Sequence, residues 1–149
     1  MEVFKICLDK YSNSLNASGA PNRWNKKDEF VIYTGSSRSL STLELVVHRS
    51  LINIDRPYRL LVITIKDKTP FKEIKIKDLP KSWRTIDAYI ALQEIGSKWY
   101  NSLETPVLKV PSVIIPFEFN YVINTKHPLF SKNILINSME DFNWDKRLL

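Results

Sequence analysis

The chain is poor in the residue types on which several common kinds of site depend. Its 149 residues include one cysteine, two histidines and three glycines. The lone Cys7 excludes a disulfide framework and a thiolate zinc cluster, and it fits a reducing compartment. Two histidines without a cysteine cluster give no reason to expect a metal site. Because no Gly-x-Gly-x-x-Gly or Walker-type run occurs, a Rossmann or P-loop nucleotide site is not expected either.

Long apolar runs are also missing. No apolar run is long enough to span a bilayer. The N-terminal sequence MEVFKICLDKY has charges on both sides of a very short apolar run, which is unlike a signal peptide. We therefore expect a cytoplasmic protein that does not contact the membrane.

Positive charge is in excess. The formal charge of +6 and the pI near 9.4 favour a partner or substrate that carries negative charge, such as a nucleotide, a nucleic acid or an acidic protein. A modest basic cluster extends from Lys66 to Lys81. Such clusters are usually solvated faces, but this one keeps a nucleic-acid-binding or RNA-cleaving function open.

Alternating apolar residues and one nearly continuous apolar run, from Tyr58 to Ile65, predict six or seven strands. The predicted strands are Val3 to Leu8, Glu29 to Tyr33, Tyr58 to Ile65, Phe71 to Lys77, Val107 to Ile115, Phe117 to Ile123 and Ile134 to Ile136. The lysines of the segment after Phe71 are typical of a sheet edge. Between the first two strands, residues 12–22 are rich in Ser, Asn, Ala, Gly and Pro, which predicts a loop.

Two segments have helical spacing. The first begins near residues 39–41, and its predicted apolar face consists of Leu40, Leu43, Val47 and Leu51. The second runs from Thr85 to Tyr100, although Gly96 weakens its last turn. Strands and helices do not alternate regularly, so we predict an α+β fold, with residues 1–149 in a single domain and a mixed, mainly antiparallel sheet.

Arg23 and Tyr33 are candidates for binding a nucleotide. Arg23 lies in a loop next to Trp24, where a guanidinium could hold a pyrophosphate bidentately. The alternative is a surface arginine stacked on the tryptophan. Tyr33 ends a predicted strand at a turn, where its ring could stack on a flat heteroaromatic group. The pattern alone favours a core tyrosine with a solvated hydroxyl.

Glu44 has two interpretations. The sequence from Ser41 to Glu44 fits a capping box, in which the glutamate only binds a free backbone N–H at the start of the helix. In the other interpretation the carboxylate faces a cleft, binds a ribose hydroxyl and stabilises the positive charge that develops as a glycosidic bond breaks. The residues alone favour the cap. His48 follows four positions later and could face the same side.

Two polar residues in the later strands are further candidates. Ser112 lies in an apolar segment between Pro111 and Pro116, so its hydroxyl needs a partner, for which the backbone is favoured over a ligand. Without a Gly-x-Ser-x-Gly elbow, a serine hydrolase is not indicated. Asn120 projects from an alternating strand opposite its aromatic face, and could lie in a cleft or in solvent.

At this point the sequence resembles a known family, the RES-domain toxins of bacterial toxin–antitoxin pairs. The family is named for an arginine, a glutamate and a serine, which Arg23, Glu44 and Ser112 match. The resemblance covers nearly the whole chain. It includes the segments YTGSSRSLSTLELVVH, LPKSW, QEIGSKW, VPSVIIPFEFNYVIN with HPLF, and FNWDKRL.

The resemblance implies an ADP-ribosyltransferase-like fold and a toxin that consumes NAD. Members split the bond between nicotinamide and ribose and pass the ADP-ribosyl group to water or inorganic phosphate, so NAD is a substrate and no cofactor is implied. By resemblance Arg23 holds the pyrophosphate, Tyr33 packs on the nicotinamide, and Glu44 stabilises an oxocarbenium-like transition state. Ser112 would position the nicotinamide ribose, with Asn120 as a further substrate-binding residue.

The resemblance also implies a partner, an antitoxin with a helix-turn-helix DNA-binding domain that blocks the NAD cleft. A basic toxin suits an acidic segment on such a partner. Homodimerisation stays open, because no pattern in the sequence identifies an interface. Transfer of ADP-ribose to a protein target is the alternative activity, and nucleic-acid binding or RNA cleavage is the alternative from another class.

Overall fold

A seven-stranded sheet forms the framework of the domain. The structure, a computed structural model, describes residues 1–48, 50 and 52–149. The strands are β1 (Glu2–Leu8), β2 (Val31–Gly35), β3 (Tyr58–Ile65), β4 (Phe71–Glu73), β5 (Val107–Pro111), β6 (Phe119–Asn124) and β7 (Ile134–Phe142). The helices are α1 (Arg38–Val46), α2 (Tyr89–Ser102) and the short α3 (Phe130–Asn133). None of the described helices is long and apolar enough to cross a membrane.

The sheet is mixed and mainly antiparallel, as the sequence predicts. Its strand order is β4-β5-β6-β2-β1-β3-β7. The pairs are antiparallel except for β4 and β5, which run parallel. The lysine-bearing β4 lies at the edge of the sheet, also as predicted. The predicted α+β class is therefore confirmed.

Several predicted strand bounds are wrong for local reasons. β5 ends at Pro111 instead of continuing to Ile115, because the chain turns after Ser112, whose N–H donates to the Glu118 carbonyl. β4 has three residues and is followed by a 3-10 turn at Ile76–Asp78. β7 has nine residues instead of three, since it pairs with the whole of β3 around an irregularity between Val62 and Ile63.

Helix α1 begins earlier than predicted. Ser37 is its N-cap, and the serine side chain accepts a hydrogen bond from the Leu40 N–H. The helix ends at Val46, whereas the predicted apolar face extended to Leu51, which lies outside the described residues. Gly35 allows the helix to approach β2, because a Cβ there would lie 2.6 Å from the Ser41 hydroxyl.

The sheet opens between the neighbouring strands β1 and β2. β1 pairs with β3 over seven residues and β2 pairs with β6 over five, whereas β1 and β2 pair only at Phe4 and Gly35. Past this single pair the two strands are not joined to each other. An opening therefore forms in the middle of the sheet, next to α1.

A second close approach fixes the loop that precedes β2. Gly96 of α2 packs directly on the backbone of Trp24. Glu29 is buried and joins the two elements, since its carboxylate accepts hydrogen bonds from the Lys26 N–H, at 2.7 Å, and from the Ser97 hydroxyl. The glycine that the sequence marked as a weak point of the helix is thus a packing site.

Candidate active site

The opening in the sheet is a cavity of about 630 Å³. Its walls come from β1, β2, the segment from α1 to His48 and the segment of residues 11–22, with one residue from β6. The polar and charged side chains that matter for chemistry are Lys5, Tyr33, Glu44, His48 and Asn120. A cavity of this size is typical of small-molecule and cofactor sites.

Glu44 faces the cavity, so the capping-box interpretation that the residues favoured is wrong. The cap is Ser37, and Ser41 lies inside the helix, where its hydroxyl donates to the Phe4 carbonyl at 2.9 Å. The Glu44 Oε1 atom accepts hydrogen bonds from Asn120 Nδ2 at 2.5 Å and from the Ser112 hydroxyl at 3.3 Å. The structure thus brings Glu44, Ser112 and Asn120 together.

Ser112 is fully buried behind Glu44. Its oxygen accepts hydrogen bonds from the backbone N–H groups of Ile114 and Ile115, both at 3.1 Å. A serine hydroxyl has two acceptor sites and one proton. Since both acceptor sites are used, the proton is left to point at Glu44. The expected backbone partners are present, and the hydroxyl is also a fixed donor to the carboxylate.

Asn120 lines the cavity and is not a solvent-exposed residue of its strand. It lies on β6 opposite Gly35 of β2 and Val110 of β5. Its amide nitrogen donates to Glu44, whereas its Oδ1 atom is buried and has no partner among the described residues. The amide is therefore oriented by the carboxylate.

Tyr33 places its ring at the cavity wall and turns its hydroxyl away from water. The hydroxyl donates to Asn25 Oδ1 at 2.8 Å and accepts from the Trp24 N–H at 3.0 Å. Burial raises the pKa of Tyr33 far above its ordinary value, and the hydrogen bond from Trp24 opposes this only in part. The expected solvated hydroxyl is thus wrong, because protein groups bind it and fix the ring.

Arg23 is not brought into this group. Its Nη1 atom donates to the carbonyls of Trp83 at 3.1 Å and Thr85 at 3.4 Å, and its guanidinium lies 4.6 Å from the centre of the Tyr89 ring. It does not line the cavity and it stacks on Tyr89, not on the neighbouring Trp24. The pyrophosphate-binding role of Arg23 stays a prediction.

Two cavity residues on β1 were missed by sequence reasoning. Lys5 and Cys7 both line the cavity. Burial lowers the pKa of the Lys5 ammonium, with a smaller opposing effect of Cys7, and it raises the pKa of the Cys7 thiol. The alternation of β1 could have indicated Lys5, because it places this lysine on the same face of the strand as the buried Val3.

The two histidines differ in setting. His48 lines the cavity on the side of Glu44, in line with its spacing along the helix. His127 is buried elsewhere and is bound at both ring nitrogens, to the Leu103 carbonyl and the Leu129 N–H. Across residues 1–48, 50 and 52–149, no group of three or more His, Cys, Asp or Glu side chains is arranged to hold a metal ion.

Comparison with known proteins gives matches over most of the chain. A model of the RES domain matches residues 8–145. The Toxin Res of Yersinia enterocolitica is 30% identical over 152 aligned positions, which cover 99% of both chains. The Prs ADP-ribosylating toxin of Sphingobium sp. is 33% identical over 150 positions, covering 93% of this chain and 88% of the relative.

A solved structure shares the fold. A chain in the crystal structure of the M. tuberculosis MbcT–MbcA toxin–antitoxin complex superposes with a TM-score of 0.76 at 14% identity, covering 95% of this chain and 84% of that chain. At this identity the likeness establishes the fold alone. The match to the family model spans nearly the whole chain, as do the matches to the curated relatives. The chain therefore belongs to the RES domain family.

Proposed function

We propose that this chain is the toxin of a toxin–antitoxin pair and that it consumes NAD by cleaving the bond between nicotinamide and ribose. The observation that carries the proposal is the Glu44 carboxylate in the cavity, bound on one oxygen by Ser112 and Asn120. Membership of the RES family and the toxins among the relatives support the toxin role.

The reaction requires stabilisation of positive charge on the ribose. When the bond between C1′ and the nicotinamide nitrogen breaks, its electron pair stays with the nitrogen and neutralises the pyridinium charge. The ribosyl group then resembles an oxocarbenium ion, and a fixed carboxylate nearby lowers its energy. Water adds its oxygen to C1′ and releases a proton, which gives ADP-ribose. Inorganic phosphate in the same position gives a phosphorylated ADP-ribose.

Glu44 suits this task because its two oxygens differ. Oε1 accepts both hydrogen bonds, from Ser112 and from Asn120. Oε2 has no hydrogen-bond partner within the described part of the chain. Two donors on one oxygen hold the plane of the carboxylate, so that the second oxygen is available to a ribose hydroxyl or to the developing charge.

Tyr33 supplies a rigid surface for the leaving group. Its hydroxyl is bound by Asn25 and Trp24, so the ring cannot swing out of the cavity wall. A fixed aromatic face can stack on nicotinamide and hold it in line with the breaking bond. Arg23 lies outside the cavity, so the proposal does not depend on its predicted binding of the pyrophosphate.

Product analysis tests the proposal. Incubation of the purified chain with NAD should release nicotinamide, with free ADP-ribose marking a hydrolase and a phosphate-dependent phosphorylated product marking a phosphorylase. Glu44→Gln keeps the shape but not the charge, and should slow nicotinamide release by roughly 100-fold or more. The exposed Glu104, which does not line the cavity, provides the control variant Glu104→Gln, with unchanged activity.

Stability and activity together show which results would contradict the proposal. The Glu44→Gln protein should keep a thermal unfolding midpoint close to that of the wild type, because Ser112 and Asn120 can still bond to the amide. A folded Glu44→Gln protein with full activity would remove Glu44 from the mechanism. A wild-type chain that releases no nicotinamide in water or phosphate would refute both hydrolysis and phosphorolysis.

Transfer of ADP-ribose to a protein is the second candidate activity. It is favoured by the 33% identical relative, which is named an ADP-ribosylating toxin. The same bond breaks, and a nucleophilic side chain of the target takes the place of water. Labelled NAD incubated with cell extract and the chain would leave label on a discrete protein band if transfer occurs. Label found only in small molecules would exclude it.

An antitoxin partner is the remaining part of the proposal. The fold is shared with a chain of a toxin–antitoxin complex, and the charge of +6 suits an acidic partner segment. An antitoxin with a helix-turn-helix domain is expected to inhibit NAD loss at equimolar concentration by closing the cavity. Stable complex formation without inhibition would contradict closure of the cavity.

A further inference from the structure

Asn25 is a fully buried asparagine whose side chain joins two walls of the cavity. It does not line the cavity itself. Its Oδ1 atom accepts a hydrogen bond from the Tyr33 hydroxyl at 2.8 Å, and Tyr33 belongs to the wall formed by β2. Its Nδ2 atom donates to the Ala20 carbonyl at 2.9 Å, within the wall formed by residues 11–22, which we name the loop wall. One amide group therefore connects the ring of Tyr33 to the loop wall.

The backbone of Asn25 holds the loop wall as well. Asn22, which lines the cavity, exchanges two backbone hydrogen bonds with Asn25, at 3.1 and 3.3 Å. The Asn22 carbonyl also accepts a hydrogen bond from Gln93 Nε2 of α2 at 2.9 Å. The position of the loop wall relative to the sheet thus depends on a small set of hydrogen bonds, most of which involve Asn25.

The Asn25 side chain is fully engaged by protein groups. Its Nδ2 atom also donates to the carbonyls of Lys26 at 3.0 Å and Glu29 at 3.3 Å. An amide nitrogen carries two protons, and three carbonyls share them here. Glu29 extends the network to α2, because its carboxylate accepts a hydrogen bond from the Ser97 hydroxyl. A side chain that is bound in this way positions other groups and does not contact the substrate.

The geometry of the cavity is sensitive to this connection. Without the amide, the Tyr33 hydroxyl loses its acceptor and the Ala20 carbonyl loses its donor, so the ring and the loop wall are no longer held to each other. A planar group that stacks on Tyr33 must fit the space between the cavity walls. A misplacement of about 1 Å can cost roughly 100-fold in rate.

We infer that Asn25 is a positioning residue that fixes the Tyr33 ring relative to the loop wall and thereby makes the site selective for the nicotinamide group. The inference rests on the proposed function for the identity of that leaving group. Tyr33 and Glu44 act on the substrate directly, whereas Asn25 acts through Tyr33 and the loop wall.

Selectivity for the leaving group tests the inference. We would measure kcat and KM of the full chain with three substrates, which are NAD, its thionicotinamide analogue and its ethenoadenine analogue. The first analogue has a larger sulfur in place of the carboxamide oxygen, and the second is changed only at the far end. We expect Asn25→Ala to lower kcat for NAD about tenfold or more with KM within about threefold. Its preference for NAD over the thionicotinamide analogue should fall about fivefold or more, with the preference over the ethenoadenine analogue unchanged.

Asn124→Ala is the matched control. Asn124 is also fully buried, donates from Nδ2 to the Tyr100 carbonyl at 3.0 Å and does not line the cavity. Both substitutions should lower the thermal midpoint, because each leaves buried polar groups without a partner. Only Asn25→Ala should change kcat and the preference between substrates. Equal kinetic changes in the two variants would overturn the inference, as would a folded Asn25→Ala protein with the kcat and the preference of the wild type.

Tyr33→Phe serves as a second variant if Asn25→Ala does not fold. It keeps the ring and the bond from Asn25 to Ala20, and removes only the bond between Asn25 and the Tyr33 hydroxyl. We expect the same loss of preference for NAD. In the double variant the loss should exceed the larger single loss by no more than about twofold, because both substitutions break one connection. An unchanged preference in Tyr33→Phe, or fully additive losses, would contradict a role through Tyr33.

Binding of free nicotinamide, measured by calorimetry, separates this inference from the proposed function. A wild-type chain that binds nicotinamide and loses about fivefold or more of that affinity in Asn25→Ala, but releases none from NAD, would refute the proposed function and leave the role of Asn25 standing. A chain that cleaves NAD equally well and with the same preference in folded Asn25→Ala would do the reverse. A chain that neither binds nicotinamide nor cleaves NAD would overturn both.

Discussion

Replacing Gly96 by alanine tests whether α2 and the loop that carries Trp24 are in direct backbone contact. A Cβ at this position would lie 1.8 Å from the Trp24 carbonyl oxygen and 2.6 Å from its carbonyl carbon. Because the obstructing atoms are backbone, no change of rotamer relieves the overlap. Helix and loop must separate by roughly 1 Å or more to reach ordinary contact distances.

One stabilising and two destabilising effects determine the change in the free energy of unfolding. Alanine is favoured over glycine in a helix interior by about 1 kcal/mol. Overpacking costs about 1–3 kcal/mol. The movement also strains the hydrogen bonds of the Tyr33 hydroxyl with Asn25 and with the Trp24 N–H, each worth about 1 kcal/mol. We therefore expect Gly96→Ala to lower the free energy of unfolding by about 1–3 kcal/mol overall.

Urea denaturation of Gly96→Ala and Ala91→Gly provides the assay. Ala91 is exposed on the same helix, so its replacement by glycine reports helix propensity without the packing term and should cost about 1 kcal/mol. If propensity alone governed position 96, Gly96→Ala would gain the amount that Ala91→Gly loses. A Gly96→Ala protein as stable as the wild type, or more stable, would refute the backbone contact and its consequence for Tyr33.

Two further substitutions test hydrogen bonds of the site. Ser112→Ala should slow NAD cleavage by roughly tenfold or more, since the Glu44 carboxylate loses one of the two donors that hold its plane; an unchanged rate in the folded variant would contradict this role. Tyr33 has a raised pKa in the folded state, so above pH about 10 the unfolded chain loses a proton that the folded chain keeps, and stability should fall by about 1.4 kcal/mol per pH unit. Tyr33→Phe should abolish that part of the alkaline slope, and an identical slope in the variant would show that Tyr33 is not its source.

Local patterns predicted the elements whose cause is local. The near-continuous apolar run from Tyr58 to Ile65 matches β3 to the residue, because a central strand needs apolar side chains on both faces. The lysines of β4 alone predict its position at an edge of the sheet, which the structure confirms. Bounds failed where a single contact ends an element, as at Ser112, whose hydroxyl takes up the N–H groups that an extended strand would have paired elsewhere.

The errors at the site come from contacts that are distant along the chain. A capping box was favoured at Ser41, yet the Ser41 hydroxyl donates to Phe4, 37 positions earlier. Stacking of Arg23 on Trp24 is the alternative that the sequence suggests, yet Arg23 stacks on Tyr89 and binds carbonyls 60 and 62 positions later. Its pyrophosphate-binding role stays a prediction. The alternation of Phe4, Ile6 and Leu8 predicts a strand with one apolar face, and it gives no indication that Lys5, on the other face, lines a cavity. Neither spacing nor propensity within a short segment encodes these partners.

The Glu44 side chain points into the cavity because of the way α1 is held where β1 and β2 separate. β1 and β2 are joined at Phe4 and Gly35, and α1 meets both residues, since Ser41 bonds to the Phe4 carbonyl and lies where a Cβ on Gly35 would be. Glu44 follows Ser41 by three positions and so projects from the same side of the helix, into the opening beyond the Phe4–Gly35 pair. The division that exposes the two strand edges therefore also places the carboxylate between them. A substitution that disturbs the pairing of Phe4 with Gly35, such as Gly35→Ala, should therefore displace the Glu44 carboxylate although Glu44 itself is unchanged.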